Sequence, residues 1–187
     1  MNKDRDLILG LLMDCEPHIA AAARFPNHCI LATKIGLEVL NYFEIEATPL
    51  PVIIWLYNQA YADCADAGMK DANEFVSHGA FSVGINKSNP GKEWNGHLLI
   101  DLHNGDLLDL NFGQFSRPSK QIVVPVAAAF RDFTYGEPAT YIVNQSHVCI
   151  TADPTNVIYK NSNDWKLKDT ATIGKIITAI KTQTVNG

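Results

Sequence analysis

The sequence is poor in the features that mark disulfide-rich, membrane-spanning and nucleic-acid-binding proteins. Its four cysteines are far apart and form no C-x-x-C pair, so neither a disulfide framework nor a zinc cluster is expected. The longest apolar runs, Leu7–Met13 and Ile122–Phe130, are much shorter than the roughly 20 residues that a membrane helix needs. No segment concentrates lysine and arginine, and the formal charge is -5, which argues against a nucleic-acid partner.

The first residues also lack a small-residue cleavage motif after Leu7–Met13, so we expect no secretory signal. Together with the isolated thiols, this predicts a cytoplasmic protein with free cysteines. The chain has 187 residues, of which 47% are hydrophobic and 19% charged, a composition typical of globular proteins. We therefore predict one domain over residues 1–187.

Hydrophobic periodicity predicts helices near both ends of the chain and strands between them. The predicted helices are Asp6–Cys15, Pro17–Arg24, Cys29–Phe43, Ala60–Val76 and Thr170–Thr182. The predicted strands are Pro49–Tyr57, Gly79–Ile85, His97–His103, Leu107–Phe112, Gln121–Val124, Thr140–Asn144 and His147–Thr151. Residues 86–96, rich in Asn and Gly, predict a loop. This order favours an α+β fold in which helices pack on a mostly antiparallel sheet.

The helix predicted over Cys29–Phe43 carries charge only at Lys34 and Glu38, one turn apart. A helix that shows water such a narrow stripe is otherwise buried. Gly36 lies in its interior, where glycine disfavours a helix. Close packing against another backbone is the expected reason.

Asn104-Gly105 predicts a hairpin between two of the strands, and the loop length decides which residues share a face. A two-residue turn would place Asp109 on the same face as Ile100 and the leucines beside it. A three-residue loop over residues 103–105, with Gly105 left-handed, pairs Leu102 with Asp106 instead. One face is then wholly apolar: Leu98, Ile100, Leu102, Leu108, Leu110 and Phe112. The other carries His97, Leu99, Asp101, Leu107, Asp109 and Asn111.

We choose the three-residue loop, since a buried face fixes the register of a strand. This register places Asn111 opposite His97 and Asp109 diagonal to His97. Diagonal neighbours in a sheet are about 7–8 Å apart, or somewhat less between β-carbons, so long side chains can meet. The sequence therefore predicts contact between an imidazole and a carboxylate.

Cys29 lies at the start of its predicted helix, where unpaired N–H groups and the helix dipole favour a thiolate. A nearby imidazole could take the thiol proton, and Asp109 would hold that imidazole in one tautomer. The backbone N–H of Cys29 is the expected donor to a developing oxyanion, with Asn27 as a candidate second donor.

These residues stand in a recognisable order. Cys29 opens a buried helix, His97 follows in Gly96-His97-Leu98-Leu99-Ile100, and Asp109 lies in Leu108-Asp109-Leu110-Asn111-Phe112-Gly113-Gln114-Phe115. The pattern resembles the transglutaminase-like core of the papain-like cysteine superfamily, which often has Asp-x-x-x-x-Gln-Phe. The resemblance covers about residues 27–115, and further strands and a closing helix occupy residues 116–187.

The resemblance implies that Cys29 is a nucleophile, His97 a base and Asp109 an orienting acid. It implies acyl transfer through a thioester, by a hydrolase or an acyltransferase acting on a peptide, a protein or a small amide or ester. No cofactor or metal is implied. The alternative is a catalytically inactive domain of the same fold that serves as a binding module.

Other residues keep other interpretations open. Asp101 is the second choice for the orienting acid, and Trp94 could either wall a substrate pocket or be a surface aromatic. Cys149 and His147 share one face of a predicted strand, which makes a metal-binding module a third hypothesis, although a third ligand is lacking. Any lone cysteine is most often a core residue.

Overall fold

The computed structural model describes residues 3–22, 28–68, 79–84, 94 and 96–186. The helices of this part of the chain are α1 Lys3–Asp14, α2 Glu16–Ala22, α3 Cys29–Tyr42, α4 Gln59–Asp66, α5 Asn163–Lys166 and α6 Thr170–Asn186. The strands are β1 Thr48–Tyr57, β2 Ala80–Val83, β3 His97–Asp101, β4 Leu107–Asp109, β5 Ala128–Phe130, β6 Ala139–Val143 and β7 Ser146–Ala152. Short 3-10 helices cover Phe112–Phe115, Pro118–Lys120 and Ile158–Asn161. The fold is α+β.

The strands form one antiparallel sheet in the order β5-β4-β3-β1-β7-β6. Strand β1 is central and long, so two short strands share one of its edges: β3 pairs with its first half and β2 with its second half. The sheet curves until its two outer strands approach each other. The rings of Phe130 in β5 and Tyr141 in β6 lie 5.0 Å apart between centroids.

Helices cover one face of the sheet, and loops with aromatic side chains cover the other. The helix-side core joins α1, α3 and α6 to the hairpin β3–β4, with members Leu12, Ile35, Leu40, Ile100, Leu108, Leu110, Ile176 and Ile180. The opposite core includes Val52, Ile54, Leu99, Leu107, Phe112, Phe115, Phe130, Val148 and Ile150. Both faces of β3 and β4 are therefore buried, including the face that carries His97 and Asp109.

The predicted hairpin register is confirmed. Ile100 lies opposite Leu108, and the N–H of Leu102 donates to the carbonyl of Asp106 at 3.0 Å. Gly105 closes the loop with φ +84°, a left-handed value that glycine adopts without strain. Burial of both faces explains this outcome, because a slip by one residue would exchange them.

The strand predicted over Gln121–Val124 is wrong. Gln121 has a left-handed φ of +55°, which ends any extended run, and Ile122 makes only an isolated bridge to Arg117. The strand that completes this edge of the sheet is instead β5, where Ala128 lies opposite Asp109. The sequence pattern missed β5 because it is only three residues long.

Two predicted elements end earlier than expected. Helix α4 ends at Asp66, followed by a turn at residues 67–68, and residues 69–78 lie outside the described part of the chain. Strand β4 ends at Asp109, so Phe112 does not continue the alternation of the strand. Phe112 instead begins a 3-10 helix. It packs in the core on the side of the sheet away from the helices, whereas the predicted strand placed it on the helix side, and its ring centroid lies 5.3 Å from that of Phe130.

Gly36 permits close packing of α3, but against side chains rather than another backbone. A β-carbon at this position would lie 2.5 Å from a methyl group of Leu110 and 2.6 Å from one of Ile100. Glycine therefore lets the helix lie directly on the hairpin β3–β4.

The described helices include none with the length and apolar character needed to cross a membrane.

Candidate active site

Cys29 is the first residue of α3, and Asn111 holds this end of the helix. With its amide oriented to satisfy its neighbours, the side-chain oxygen of Asn111 accepts from the backbone N–H groups of His28 and Cys29, at 3.1 Å each. His28 precedes the helix and provides no side-chain cap of its own. Asn111 follows β4, so it fastens the cysteine to the end of the strand that carries Asp109.

Two further contacts fix α3 on the hairpin. The hydroxyl of Thr33, one turn after Cys29, donates to the carbonyl of Leu98 at 2.9 Å in a buried hydrogen bond. Gly36 allows close approach one turn later. Because Leu98 follows His97 directly, these contacts determine the position of the cysteine relative to the histidine.

His97 and Asp109 form a fully buried pair. Each side chain is 1% exposed, and Nε2 of His97 lies 2.6 Å from Oδ2 of Asp109. The other carboxylate oxygen accepts from the backbone N–H of Asn111 at 2.8 Å. The acid therefore has a partner on each oxygen, and its charge lies at one end of the imidazole ring.

The other ring nitrogen of His97, Nδ1, lies on the side of the ring away from Asp109. Asp109 occupies Nε2, and Cys29 is near enough to His97 to raise the pKa of the ring. Nε2 of Gln114 also lies 3.0 Å from Nδ1. The ring of Phe115 contacts the imidazole edge to face, with centroids 4.6 Å apart.

The pKa of His97 reflects two opposing influences. Burial lowers it, because a charged ring loses its hydration. The charge and hydrogen bond of Asp109 raise it, as do the hydrogen bond and charge of Cys29, and together they outweigh burial and bring the pKa to about 10. The arrangement thus favours an imidazolium beside the sulfur.

Aromatic and aliphatic side chains surround Cys29, which is 6% exposed. Cys29 belongs to a buried cluster with Ile30, Leu98 and Tyr159, against which Trp94 and Trp165 pack. The ring of Trp94 lies 5.7 Å from that of Tyr159. Trp94 therefore packs against the cluster that contains Cys29; its role as the wall of a substrate pocket stays a prediction.

Asp101, the second choice for the orienting acid, is committed elsewhere. Its carboxylate accepts from the hydroxyl of Tyr135 and, at 2.8 Å, from the backbone N–H of His103. These bonds hold the loop of the hairpin. Asp109, not Asp101, is the acid on His97.

Cys149 and His147 share one face of β7, as predicted, and line a cavity of about 540 Å³. His147 stacks on Tyr57 with centroids 4.9 Å apart, and its Nε2 contacts Oε1 of Gln59 at 3.0 Å. Among the described residues, no group of three or more His, Cys, Asp or Glu side chains is arranged to hold a metal ion.

The sequence did not reveal the roles of Asn111 and Gln114. The predicted register placed Asn111 opposite His97, and Gln114 belongs to the Asp-x-x-x-x-Gln-Phe pattern, but neither signal gives a contact. The N–H of Cys29, the expected donor to an oxyanion, donates to the side chain of Asn111 in this structure, and its role toward an oxyanion stays a prediction. Asn27 and most of residues 86–96 lie outside the described part of the chain.

The arrangement as a whole brings a thiol, an imidazole and a carboxylate together in one series, with the imidazole hydrogen-bonded to the carboxylate. Such a series can transfer the thiol proton to the ring and stabilise the charge that results. No family model, curated protein or solved structure matches the chain.

Proposed function

We propose that the protein is a cysteine-dependent acyl-transfer enzyme with a papain-like, transglutaminase-like core. The observation that carries the proposal is the buried hydrogen bond of 2.6 Å between Nε2 of His97 and Asp109, on a ring near enough to Cys29 for the cysteine to raise its pKa. Burying a carboxylate and an imidazole costs solvation free energy unless both groups have hydrogen-bond partners. A buried and hydrogen-bonded pair of this kind next to a thiol is the arrangement that nucleophilic catalysis requires.

In the proposed reaction, Nδ1 of His97 takes the proton of the Cys29 thiol, and Sγ adds to the carbonyl carbon of an amide or ester. The C=O electrons move to oxygen and form a tetrahedral oxyanion. The oxyanion collapses, the bond to the leaving nitrogen or oxygen breaks, and the imidazolium returns a proton to that atom. Water or an amine then attacks the thioester and releases the acyl group and Cys29.

Asp109 has two roles in this scheme. Its oxygen accepts from Nε2–H, so the neutral ring presents Nδ1 as the base. Its negative charge stabilises the imidazolium, the same effect that raises the pKa of His97.

The substrate class is an acyl group in amide or ester linkage, on a peptide, a protein or a small molecule. The apolar cluster of Ile30, Leu98 and Tyr159 suits an aliphatic or aromatic group beside the scissile bond. Hydrolysis and transfer share the acylation step and differ only in the acceptor.

One observation favours a second candidate, an inactive binding module of the same fold. Cys29 is only 6% exposed, so little of the residue meets solvent. A thiol that never becomes accessible would leave the domain as a binding module.

Chemical labelling tests the two candidates. At neutral pH, iodoacetamide should alkylate Cys29 before the half-buried Cys64 and Cys149, and p-nitrophenyl acetate should acetylate Cys29 with release of p-nitrophenolate. Cys15 should react last, because burial, with a smaller contribution from Asp14, raises the pKa of its thiol.

Mass spectrometry of peptides identifies the labelled residue, and Cys29→Ser is the control for background reaction. Equal labelling of Cys29, Cys64 and Cys149, with no acetylation above the Cys29→Ser background, would reject the enzyme and favour the binding module.

A further inference from the structure

We propose that the cavity between β1, β7 and α4, which His147 and Cys149 line, binds a small organic cation with a methylated ammonium group. None of the described residues that line this cavity belongs to the candidate active site. The proposal therefore does not depend on the proposed function and adds a separate binding site.

The alternation of side chains along β1 and β7 builds the floor of the cavity. Even-numbered residues of both strands, such as Ile54 and Ile150, lie in the core away from the helices. Odd-numbered residues point to the opposite face of the sheet. Three cross-strand pairs on this face line the cavity: Ile53 with Thr151, Trp55 with Cys149, and Tyr57 with His147.

Helix α4 lies over only part of this floor, so a cavity of about 540 Å³ stays open between the helix and the sheet. Tyr61, Ala62, Ala65 and Asp66 form the side of α4 that lines it. Pockets of about 300–1,000 Å³ with aromatic and aliphatic walls are typical of small-molecule sites. The size and lining of the cavity thus suit a small ligand.

Aromatic rings form one wall of the cavity. The rings of Tyr57 and His147 stack with centroids 4.9 Å apart, and the ring of Tyr61 meets that of Tyr57 edge to face at 5.0 Å. Trp55 extends the wall, because it lies two residues before Tyr57 on the same face of β1. The face of an indole or phenol ring is electron-rich and attracts a cation, and tryptophan does so most strongly.

The charge of the lining has the sign that a cation requires. Asp66 contributes a carboxylate, and no lysine or arginine is among the described residues that line the cavity. Burial raises the pKa of Tyr57, and the charges of Cys149 and Asp66 raise it further. Asp66 therefore acts on the aromatic wall, and a cation that contacts the rings also feels the charge of its carboxylate.

The scarcity of charge in the lining favours a methylated cation over a bare ammonium group. A bare ammonium has three N–H donors that all need acceptors. A trimethylammonium group has none, and its methyl groups can contact both the rings and the aliphatic side chains of Ile53 and Ala62. The chemical class of the ligand is thus a small quaternary ammonium compound.

Three ligands of similar size test the proposal on the full chain. Choline carries the trimethylammonium group, 3,3-dimethyl-1-butanol has the same shape without the charge, and ethanolamine has the charge without the methyl groups. Broadening of the ligand proton NMR signals on addition of protein measures binding of each. Choline should bind about tenfold more tightly than the uncharged alcohol, and about threefold or more tightly than ethanolamine.

Variants then locate the site. Trp55→Leu should weaken choline binding about tenfold, and Trp55→Phe, which keeps a less attractive ring, should give a smaller loss and serves if the leucine variant does not fold. Asp66→Asn should weaken choline binding about threefold and leave binding of the alcohol unchanged.

Asp63→Asn is the matched control for Asp66→Asn. It removes the same charge from α4 at a residue that does not line the cavity, and its remaining oxygen can still accept from Gln59. It should bind choline as the wild type does. Cys29→Ser should also bind choline normally, because the two sites share no residue.

Four results would overturn the proposal. Equal binding of choline and the alcohol would make the cavity merely apolar, and tighter binding of ethanolamine would assign the attraction to the carboxylate alone. An equal loss in Asp63→Asn and Asp66→Asn would attribute it to net charge. Absence of choline binding would remove the site, whereas the labelling of Cys29 tests the proposed function separately.

Discussion

Two regions of the molecule combine a cysteine with a histidine, and they differ in what surrounds the imidazole. His97 is 1% exposed and contacts the carboxylate of Asp109, whereas His147 is half-buried and contacts the neutral amide of Gln59. Cys29 reaches its histidine from a helix, while Cys149 is two residues along the same strand as His147.

The comparison shows why proximity in sequence is a poor guide to chemistry. Residues i and i+2 of a strand share a face but point side by side, so the strand alone does not direct the thiol at the ring. At Cys29, the thiol, the imidazole and the acid come from α3, β3 and β4 and converge. Charge, burial and direction therefore separate the candidate active site from the cavity at β7.

The largest expected effect tests the importance of the acid. Asp109→Asn keeps the acceptor for the N–H of Asn111 but places an amide N–H against Nε2, which leaves the proton of a neutral ring on Nδ1. The base is then blocked, and acetylation of Cys29 by p-nitrophenyl acetate should fall on the order of 10³–10⁴-fold.

The corresponding change at the other pair is Gln59→Ala, which removes the contact of His147. It should leave alkylation of Cys149 within twofold. An Asp109→Asn protein that unfolds cooperatively and retains a tenth of the wild-type acetylation rate would contradict the role of Asp109.

The next effect concerns stability and pH. The pKa of His97 is raised from 6.5 to about 10, so between these values the native ring keeps a proton that the unfolded chain has lost. The stabilisation is complete below pH 6.5 and is lost as the pH rises through about 10. The free energy of unfolding should fall by at most about 1.4 kcal/mol per pH unit in this window.

Denaturant unfolding of Cys29→Ser, which removes the titration of the thiol itself, measures this effect. The pKa of His97 stays raised in that background because Asp109 remains. The control is the double variant Cys29→Ser with His97→Gln, whose slope should be flatter. Identical slopes would show that His97 is not protonated beside Asp109.

The smallest effect concerns the attachment of α3. Asn111→Ala removes the acceptor of two N–H groups at the helix start and should lower the free energy of unfolding by about 0.5–2 kcal/mol. Alkylation of Cys29 should slow several-fold as the helix end loosens. Asn111→Asp keeps an acceptor and should restore stability but not the alkylation rate, because its charge disfavours a thiolate nearby.

Asn161→Ala is the control for this change, since Asn161 is exposed, and it should alter the free energy of unfolding by less than about 0.5 kcal/mol. If Asn111→Ala changes stability no more than Asn161→Ala does, the attachment at Asn111 contributes nothing.

Much of the arrangement could be predicted from local patterns. The apolar alternation around Asn104-Gly105 determined the hairpin register, and this register brought His97 diagonal to Asp109. Because α3 has so few charged residues, the sequence predicted that this helix is largely buried. These predictions hold because a buried face allows only one register and one orientation.

Other features escaped sequence reasoning because they depend on distant segments. The end of β4 at Asp109 and the 3-10 helix after it turn Phe112 into the opposite core and bring Gln114 to His97. Strand β5 is recognisable only by its pairing with β4, since three residues have no periodicity of their own.

The amino-acid pattern was enough to predict the α+β class, the buried cysteine-bearing helix and the face shared by an imidazole and an acid. These follow from side-chain periodicity, which acts over a few neighbouring residues. Three contacts depend instead on the packing of distant segments: Asn111 at the start of α3, Gln114 at Nδ1 of His97, and Asp101 with the hairpin loop and Tyr135. The reason is physical: a hydrogen bond requires distance and direction to agree, and both are set by how separate elements pack.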